Sequence, residues 1–232
     1  AELMNYTVVE PAAVLATHLT EVIKKHGWEF LGRQEVQKLV DHLKETHPVV
    51  VSELIPELLG LGSLQKVLQN LLKEAVPIRD LATIFEALAD HAPISKDTDY
   101  LTECCRSALA RVITQRHLSS DGKLHAVTLD PQLEKMLGES VQKSTQGGYV
   151  AVDAVTAQRI VRAIKREFDR AATSGQTVVL LTNSQIRLYL RRMLERALSG
   201  LNILSYSEIS TDVQVINFGQ VKLMQDMQKV QN

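Results

Sequence analysis

The residues of this chain best equipped for chemistry are two adjacent cysteines, Cys104 and Cys105, seven histidines, and the arginines Arg187, Arg191, Arg192 and Arg196. A thiolate nucleophile needs a positive neighbour to lower its pKa. The apolar period through Leu101, Cys105, Ala108, Leu109 and Val112 instead puts Cys105 on the buried side of a helix, where a thiol behaves as a small apolar group. The histidines contain no HExxH pattern, and His42 and His47 lie five apart across a helix end, so they do not share a metal. Gly60-Leu61-Gly62-Ser63 lacks the third glycine of a dinucleotide loop and the Lys-Ser/Thr pair of a phosphate loop, which leaves it a turn and a cap. The arginines share one predicted helix and could meet phosphate. Glu195 stands four residues after Arg191, however, and no aromatic platform interleaves, so the face reads as solvated or protein-facing. No Gly-x-Ser-x-Gly elbow occurs. No catalytic residue, metal ligand or cofactor is expected.

Thr17 stands apart as a polar residue in an apolar helical stretch, Ala16-Thr17-His18-Leu19. From pattern alone its hydroxyl bonds back to its own helix or to water.

The elements that must position these residues change type along the chain. Residues 5–9 alternate like a strand, and Pro11 opens a helix carrying Ala12, Leu15, Leu19, Val22 and Ile23, closed by Gly27. That apolar face is expected to pack on a helical hairpin further on. A second helix follows over about 33–46 and stops at Pro48; the stretch VVVSELIPELL reads as a short helix kinked near Pro56. The hairpin itself spans residues 63–93. Ser63 caps a first helix with Leu64, Val67, Leu68, Leu71 and Leu72 inward, Val76-Pro77 breaks it, and Asp80 caps a second with Leu81, Ile84, Phe85 and Leu88. Such amphipathic helices bury their stripes only against one another, so this part is all-α.

A polar turn at 95–99 marks the expected domain boundary, with Asp97 or Asp99 capping a helix over about 100–115. Strands are then expected near 124–129, 177–181, 203–206 and 213–218, between helices opened by Asp130-Pro131, Asp153 and Asn183. Residues 144–148 read as a flexible loop and Met224 onward as a polar tail. Alternating strands and helices predict an α/β layer with a mostly parallel sheet. The fold class is thus mixed, with an all-α subdomain followed by a smaller-sheet α/β one. The divisions are 1–31, 32–95 and 96–232.

Composition narrows the setting. Hydrophobic residues make up 45% of 232, and the formal net charge is −1, so no general attraction to nucleic acid or an anionic membrane is expected. Two adjacent cysteines suit a reducing cytoplasm, and no apolar run reaches the ~20 residues a bilayer span needs. The chain is read as soluble and, lacking an initiator methionine, as a fragment.

Several stretches carry a resemblance: LQNLLKEAVPIRDLATIFEALADHAP, preceded by VVEPAAVLATHLTEVI and LGRQEVQKLVDHL and followed by LTECCRSALARVITQ. In this order they resemble the flagellar export-gate proteins of the type III secretion family, over most of residues 7–113 and more weakly beyond. The resemblance implies a cytoplasmic, non-enzymatic docking platform for export chaperones bound to late substrates. It also implies a membrane-spanning half and upstream subdomains absent here, with residues 1–31 closing one of them. Thr17 matches the family's Thr-His-Leu motif, whose Thr helps form a chaperone-binding depression. Glu10 departs from the usual Asp before Pro, and Glu caps less well.

The family also forms a ring of nine subunits, which needs two different faces per subunit. Lys66, Gln69, Asn70, Lys73 and Glu74 form the mixed polar face expected to supply one. The isolated fragment is expected to be monomeric, since a face that polar is weak alone. Two other classes remain open: a nucleotide-handling domain with a site near Leu129 and Thr182, and a nucleic-acid binder using the Arg187 face.

Overall fold

Proline, aspartate and glycine punctuate the helices of the computed structural model, which describes residues 10–144, 147–198 and 200–223. The predicted strand at 5–9 and the polar tail from Met224 lie outside these residues. Two compact units divide the chain, Ala1–Ala108 and Leu109–Asn232.

In the first unit, α1 (Pro11–His26) begins on Pro11, and Glu10 makes no side-chain cap bond. A single 3-10 turn, Gly27–Phe30, leads to α2 (Arg33–Thr46), and α3 (Pro48–Glu53) follows directly. The chain then kinks through Leu54–Leu58, where Ile55 leaves helical dihedrals before Pro56. Next come α4 (Leu61–Lys73), α5 (Leu81–His91) and α6 (Thr98–Ala108). Asp80 caps α5 by accepting from the Thr83 amide at 3.1 Å and its hydroxyl at 2.8 Å. Ser63 does not cap α4: the helix starts at Leu61 after Gly60, and the Ser63 amide donates to the Gly60 carbonyl from within the first turn. The far end of α4 is closed by paired bonds, Val76 N–H to the Leu71 carbonyl and Ala75 N–H to that of Leu72, with Ala75 left-handed at φ 56°.

Two expectations need correction here. The boundary falls after α6 and not near Ser95, because α6 belongs to the hairpin's core. Leu101 and Cys105 are fully buried, Asn70 donates to the Thr102 hydroxyl at 3.2 Å, and Arg106 pairs with Glu74 at 3.0 Å. The expected helix over 100–115 accordingly breaks at Leu109 (φ −88°, ψ 15°), beyond which α7 (Ala110–Gln115) opens the second unit. The apolar stripe of α1 also fails to pack. Leu15, Leu19, Val22 and Ile23 stay between 40% and 69% exposed. The apolar sides of α4 and α5 face α6 instead, and α1 meets chiefly the turn that follows it.

The second unit is the predicted α/β layer. Strands β1 (Leu124–Leu129), β4 (Val179–Thr182), β5 (Ile203–Ser205) and β6 (Val215–Val221) form a sheet of order β5-β4-β1-β6, parallel at every pairing. Burial at all four positions of β4 explains its unbroken apolar sequence. Helices α8 (Pro131–Glu139), α9 (Ala154–Thr173) and α10 (Ser184–Leu194) are capped by Asp130, Asp153 and Asn183, as expected. Of the loop expected over 144–148, Ser144 ends β2 (Val141–Ser144) and Gly147 and Gly148 begin β3 (Gly147–Val150), which pairs antiparallel with β2; residues 145–146 lie outside the described residues. Gly148 seats that hairpin under α10, since a Cβ there would lie 2.3 Å from the Tyr189 ring. Its short strands and polar composition hid it from an alternation test.

Candidate functional site

Thr17 lies in mid-α1, and its hydroxyl donates to the Ala13 carbonyl at 2.8 Å, four residues back in its own helix. Helix geometry turns Thr17 away from the exposed stripe. At ~100° per residue, Leu15, Leu19, Val22 and Ile23 cluster on one side, while Thr17 falls roughly opposite, beside Val14 and Glu21. α1 thus presents an apolar side and a separate side bearing Thr17, both exposed. The stripe was legible in the sequence as apolar. Its exposure was not, because periodicity reports which residues would be buried if a partner exists.

The candidate interface residues of α4 divide in two. Lys66 is exposed. Gln69 donates to the Leu31 carbonyl at 2.9 Å, and Gln65 donates to the same oxygen at 3.0 Å, which pins the turn before α2 onto α4. Lys73, also exposed, places its ammonium 3.9 Å from the centroid of the Trp28 ring, a cation–π contact. Asn70 and Glu74 are committed to Thr102 and Arg106. Much of the face expected to be free therefore holds the unit together.

The four arginines do not form one basic surface. Arg187 is fully buried, with its Nε 3.6 Å from the Glu208 carboxylate and its Nη1 donating to the Ile203 carbonyl. Glu208 is fixed in turn, accepting from the Ser205 amide at 3.2 Å, while the Thr114 hydroxyl donates to its carbonyl at 2.8 Å. Arg191 and Arg192 donate to the carbonyls of Leu201 and Gly148, so they tie down a loop and the hairpin. Arg196 alone of the four is both exposed and outside these bonds.

At the carboxyl ends of the central strands, where nucleotides bind in many α/β layers, a carboxylate already sits. Glu134 accepts from the Thr182 hydroxyl at 2.8 Å and from the Asn183 amide at 2.6 Å, at the start of α10. A negative group at a helix N-terminus occupies the position that phosphate would take. Burial together with the Glu134 charge also pushes the Tyr206 hydroxyl above its usual range. Cys105 is core, and burial raises its thiol pKa to about 12, far from a nucleophile's. Among the described residues, no group of three or more His, Cys, Asp or Glu side chains could hold a metal ion. Nor is any described helix long and apolar enough to cross a membrane.

The fold is shared with known proteins. The chain is 42% identical over 223 residues to the flagellar biosynthesis protein FlhA of Bacillus subtilis, covering 96% of this chain and 33% of that one. It is 40% identical over 210 residues to the Escherichia coli FlhA, covering 90% and 30%. It therefore spans about a third of the length of these curated relatives. Among solved structures it is similar to nonameric EPEC SctV-C, at TM-score 0.80 and 30% identity over 88% of this chain and 61% of that one. It is also similar to the chain in the Chlamydia pneumoniae CdsV and CdsO complex, at TM-score 0.84 and 29% identity over 95% and 65%. Since its sequence matches that of the FHIPEP family across residues 1–214, the chain belongs to the FHIPEP family.

Proposed function

We propose that this chain is part of the cytoplasmic portion of a flagellar type III export gate, where it acts without catalysis as a docking platform for chaperone–substrate complexes. The observation that carries the reading is the likeness to FlhA at 42% identity over nearly the whole chain. Two features of the molecule support it. Thr17, which the resemblance matches to a chaperone-binding threonine, lies on an exposed helix side away from the apolar stripe. At the start of α10, where a nucleotide enzyme of this layer type would hold phosphate, the Glu134 carboxylate already accepts from Thr182 and Asn183.

The test is binding of flagellar chaperones loaded with late substrates to a longer protein that restores the upstream subdomains. Thr17→Met there weakens binding with a stability change within ~0.5 kcal/mol, as expected of a surface site. Unchanged affinity, or loss of the fold, would remove Thr17 from the site.

Assembly follows the same reading. SctV-C is nonameric and CdsV is found with CdsO, and we infer a ring of this chain in the longer protein, with other export-apparatus proteins as partners. Lys66 and Lys73 are exposed toward a subunit interface, Lys73 while also lying over the Trp28 ring, whereas Gln69 would contribute only through the backbone it braces. Light scattering should show the isolated chain monomeric at micromolar concentration, because a polar face needs the raised local concentration of a tethered assembly. Charge reversal at Lys66 and Lys73 that leaves the ring intact would sink this interface.

A further inference from the structure

A second surface of the first unit has features that neither folding nor the Thr17 site explains. A concavity of about 580 Å³ opens where α2 meets α3 and is walled by α5. Pro48, Val49, Val50 and Ala89 give it apolar surface, and Glu53, Glu86 and Asp90 give it charge. Val49 is 76% exposed although it stands in the first turn of a helix whose Val51 is buried. Glu86 and Asp90 are four apart on α5, so they face each other as like charges one turn away. Asp90 lies in the last turn of α5, at the negative end of the helix dipole. Both placements work against the helix. Among the described residues no cation forms an ion pair with Glu53, Glu86 or Asp90. A chain of net charge −1 carries no general acidity to account for the cluster. Unfavourable local choices grouped around an exposed apolar notch are the signature of a binding surface.

We propose that this concavity docks a cationic segment of a partner protein, entering as a short helix. One aliphatic side chain would seat against Val49, Val50 and Ala89. Lysines or arginines a turn apart on the segment would face Glu86 and Asp90, whose own spacing of ~5–6 Å matches theirs. Charge complementarity selects this occupant over an apolar or acidic one. The surface is distinct from α1, and the inference does not rest on the export-gate reading.

The probe is a fluorescein-labelled model helix of leucine, alanine and lysine, with leucines on one side flanked by lysines a turn apart. It is titrated into the whole chain and followed by anisotropy. Binding saturates at one peptide per chain, and Glu86→Lys with Asp90→Lys weakens it by about tenfold or more, as does Val49→Asp. The double charge reversal meanwhile leaves the melting temperature equal or higher, since it removes like-charge repulsion, so lost binding cannot be lost folding. Glu139→Lys, on an exposed part of α8, leaves binding unchanged. The proposal falls if the peptide does not saturate, or if Glu139→Lys weakens binding equally, which means diffuse attraction. It falls too if a glutamate-for-lysine peptide binds as well, or if the chain self-associates in a way that Val49→Asp abolishes, which makes a second copy the occupant.

Discussion

Helices α1 and α10 reverse the usual relation between polarity and burial. α1 turns Leu15, Leu19 and Ile23 to solvent, while α10 buries Arg187 completely. The difference lies in partners. Around α10, the Glu208 carboxylate and the Ile203 carbonyl meet the guanidinium, so its desolvation is offset by charge and hydrogen bonds. Around α1, the neighbouring helices have already used their apolar sides on one another. A side chain's polarity thus fixes what burial would cost. Burial itself is decided by whether the rest of the fold presents a match.

The largest expected effect tests the buried half of that contrast. Arg187→Met strands the Glu208 carboxylate without its counter-charge, and removal of one partner of a buried pair costs ~3–5 kcal/mol. Urea unfolding should therefore show a sharply lowered midpoint, and adding Glu208→Gln to Arg187→Met should recover part of the loss. A cost below ~1 kcal/mol would mean that the pair is solvated in solution and that α10 is no exception to the usual rule.

Two helix ends sharpen the comparison at the level of backbone. The same paired bonds close α4 at Ala75 and α9 at Gly175, both left-handed, at φ 56° and 69°. A Cβ in that conformation costs ~1–2 kcal/mol, while replacing alanine by glycine gives back ~0.4–1 kcal/mol in unfolded-state entropy. Ala75→Gly should then stabilise the chain by ~0.5–1 kcal/mol, and Gly175→Ala should destabilise it by a similar amount. Equal signs for the two substitutions would show that the ends are not equivalent.

These cases also mark how far the sequence could be read. Local chemistry was legible: Asp80, Asp130, Asp153 and Asn183 cap the helices they precede, and β1 has its expected bounds. The parallel sheet followed from alternation alone. What escaped was long-range matching. Nothing near Arg187 in the chain points to Glu208, and nothing near Gly148 points to the Tyr189 ring that requires a glycine there. The polar face of α4 looked solvent-facing because its partners, Leu31, Thr102 and Arg106, are more than thirty residues away. For the candidate site, Thr17 came from resemblance, whereas the notch at Val49 needed coordinates, since Val49, Glu86 and Asp90 meet only after α3 and α5 pack.

A smaller effect compares two helix starts by pH. Asp153 accepts from the amides of Val155 and Thr156 and the Thr156 hydroxyl, and these bonds, the hydroxyl's foremost, hold its pKa below the ordinary value. A carboxylate with a lowered folded pKa stabilises the fold above its unfolded pKa, and that contribution disappears as pH falls through the folded value. Unfolding followed from neutral pH down into the acid range should show Asp153→Ala losing stability at neutral pH and converging on the parent in acid. Glu10 makes no cap bond, so Glu10→Ala should cost less at neutral pH than Asp153→Ala. A constant offset for Asp153→Ala across the range would assign its effect to helix propensity instead.

The smallest expected effect tests the exposed half of the opening contrast. Leu15 and Leu19 are 69% and 59% exposed, so replacing both with serine removes little buried area and should change stability by no more than ~0.5 kcal/mol per site. The matching control lies in the same unit. Leu88 is fully buried, and Leu88→Ala should cost ~2–5 kcal/mol through lost transfer energy and a residual cavity. If the α1 substitutions approached the Leu88 cost, the stripe would be packed in solution and the reversal between α1 and α10 would collapse to one anomaly.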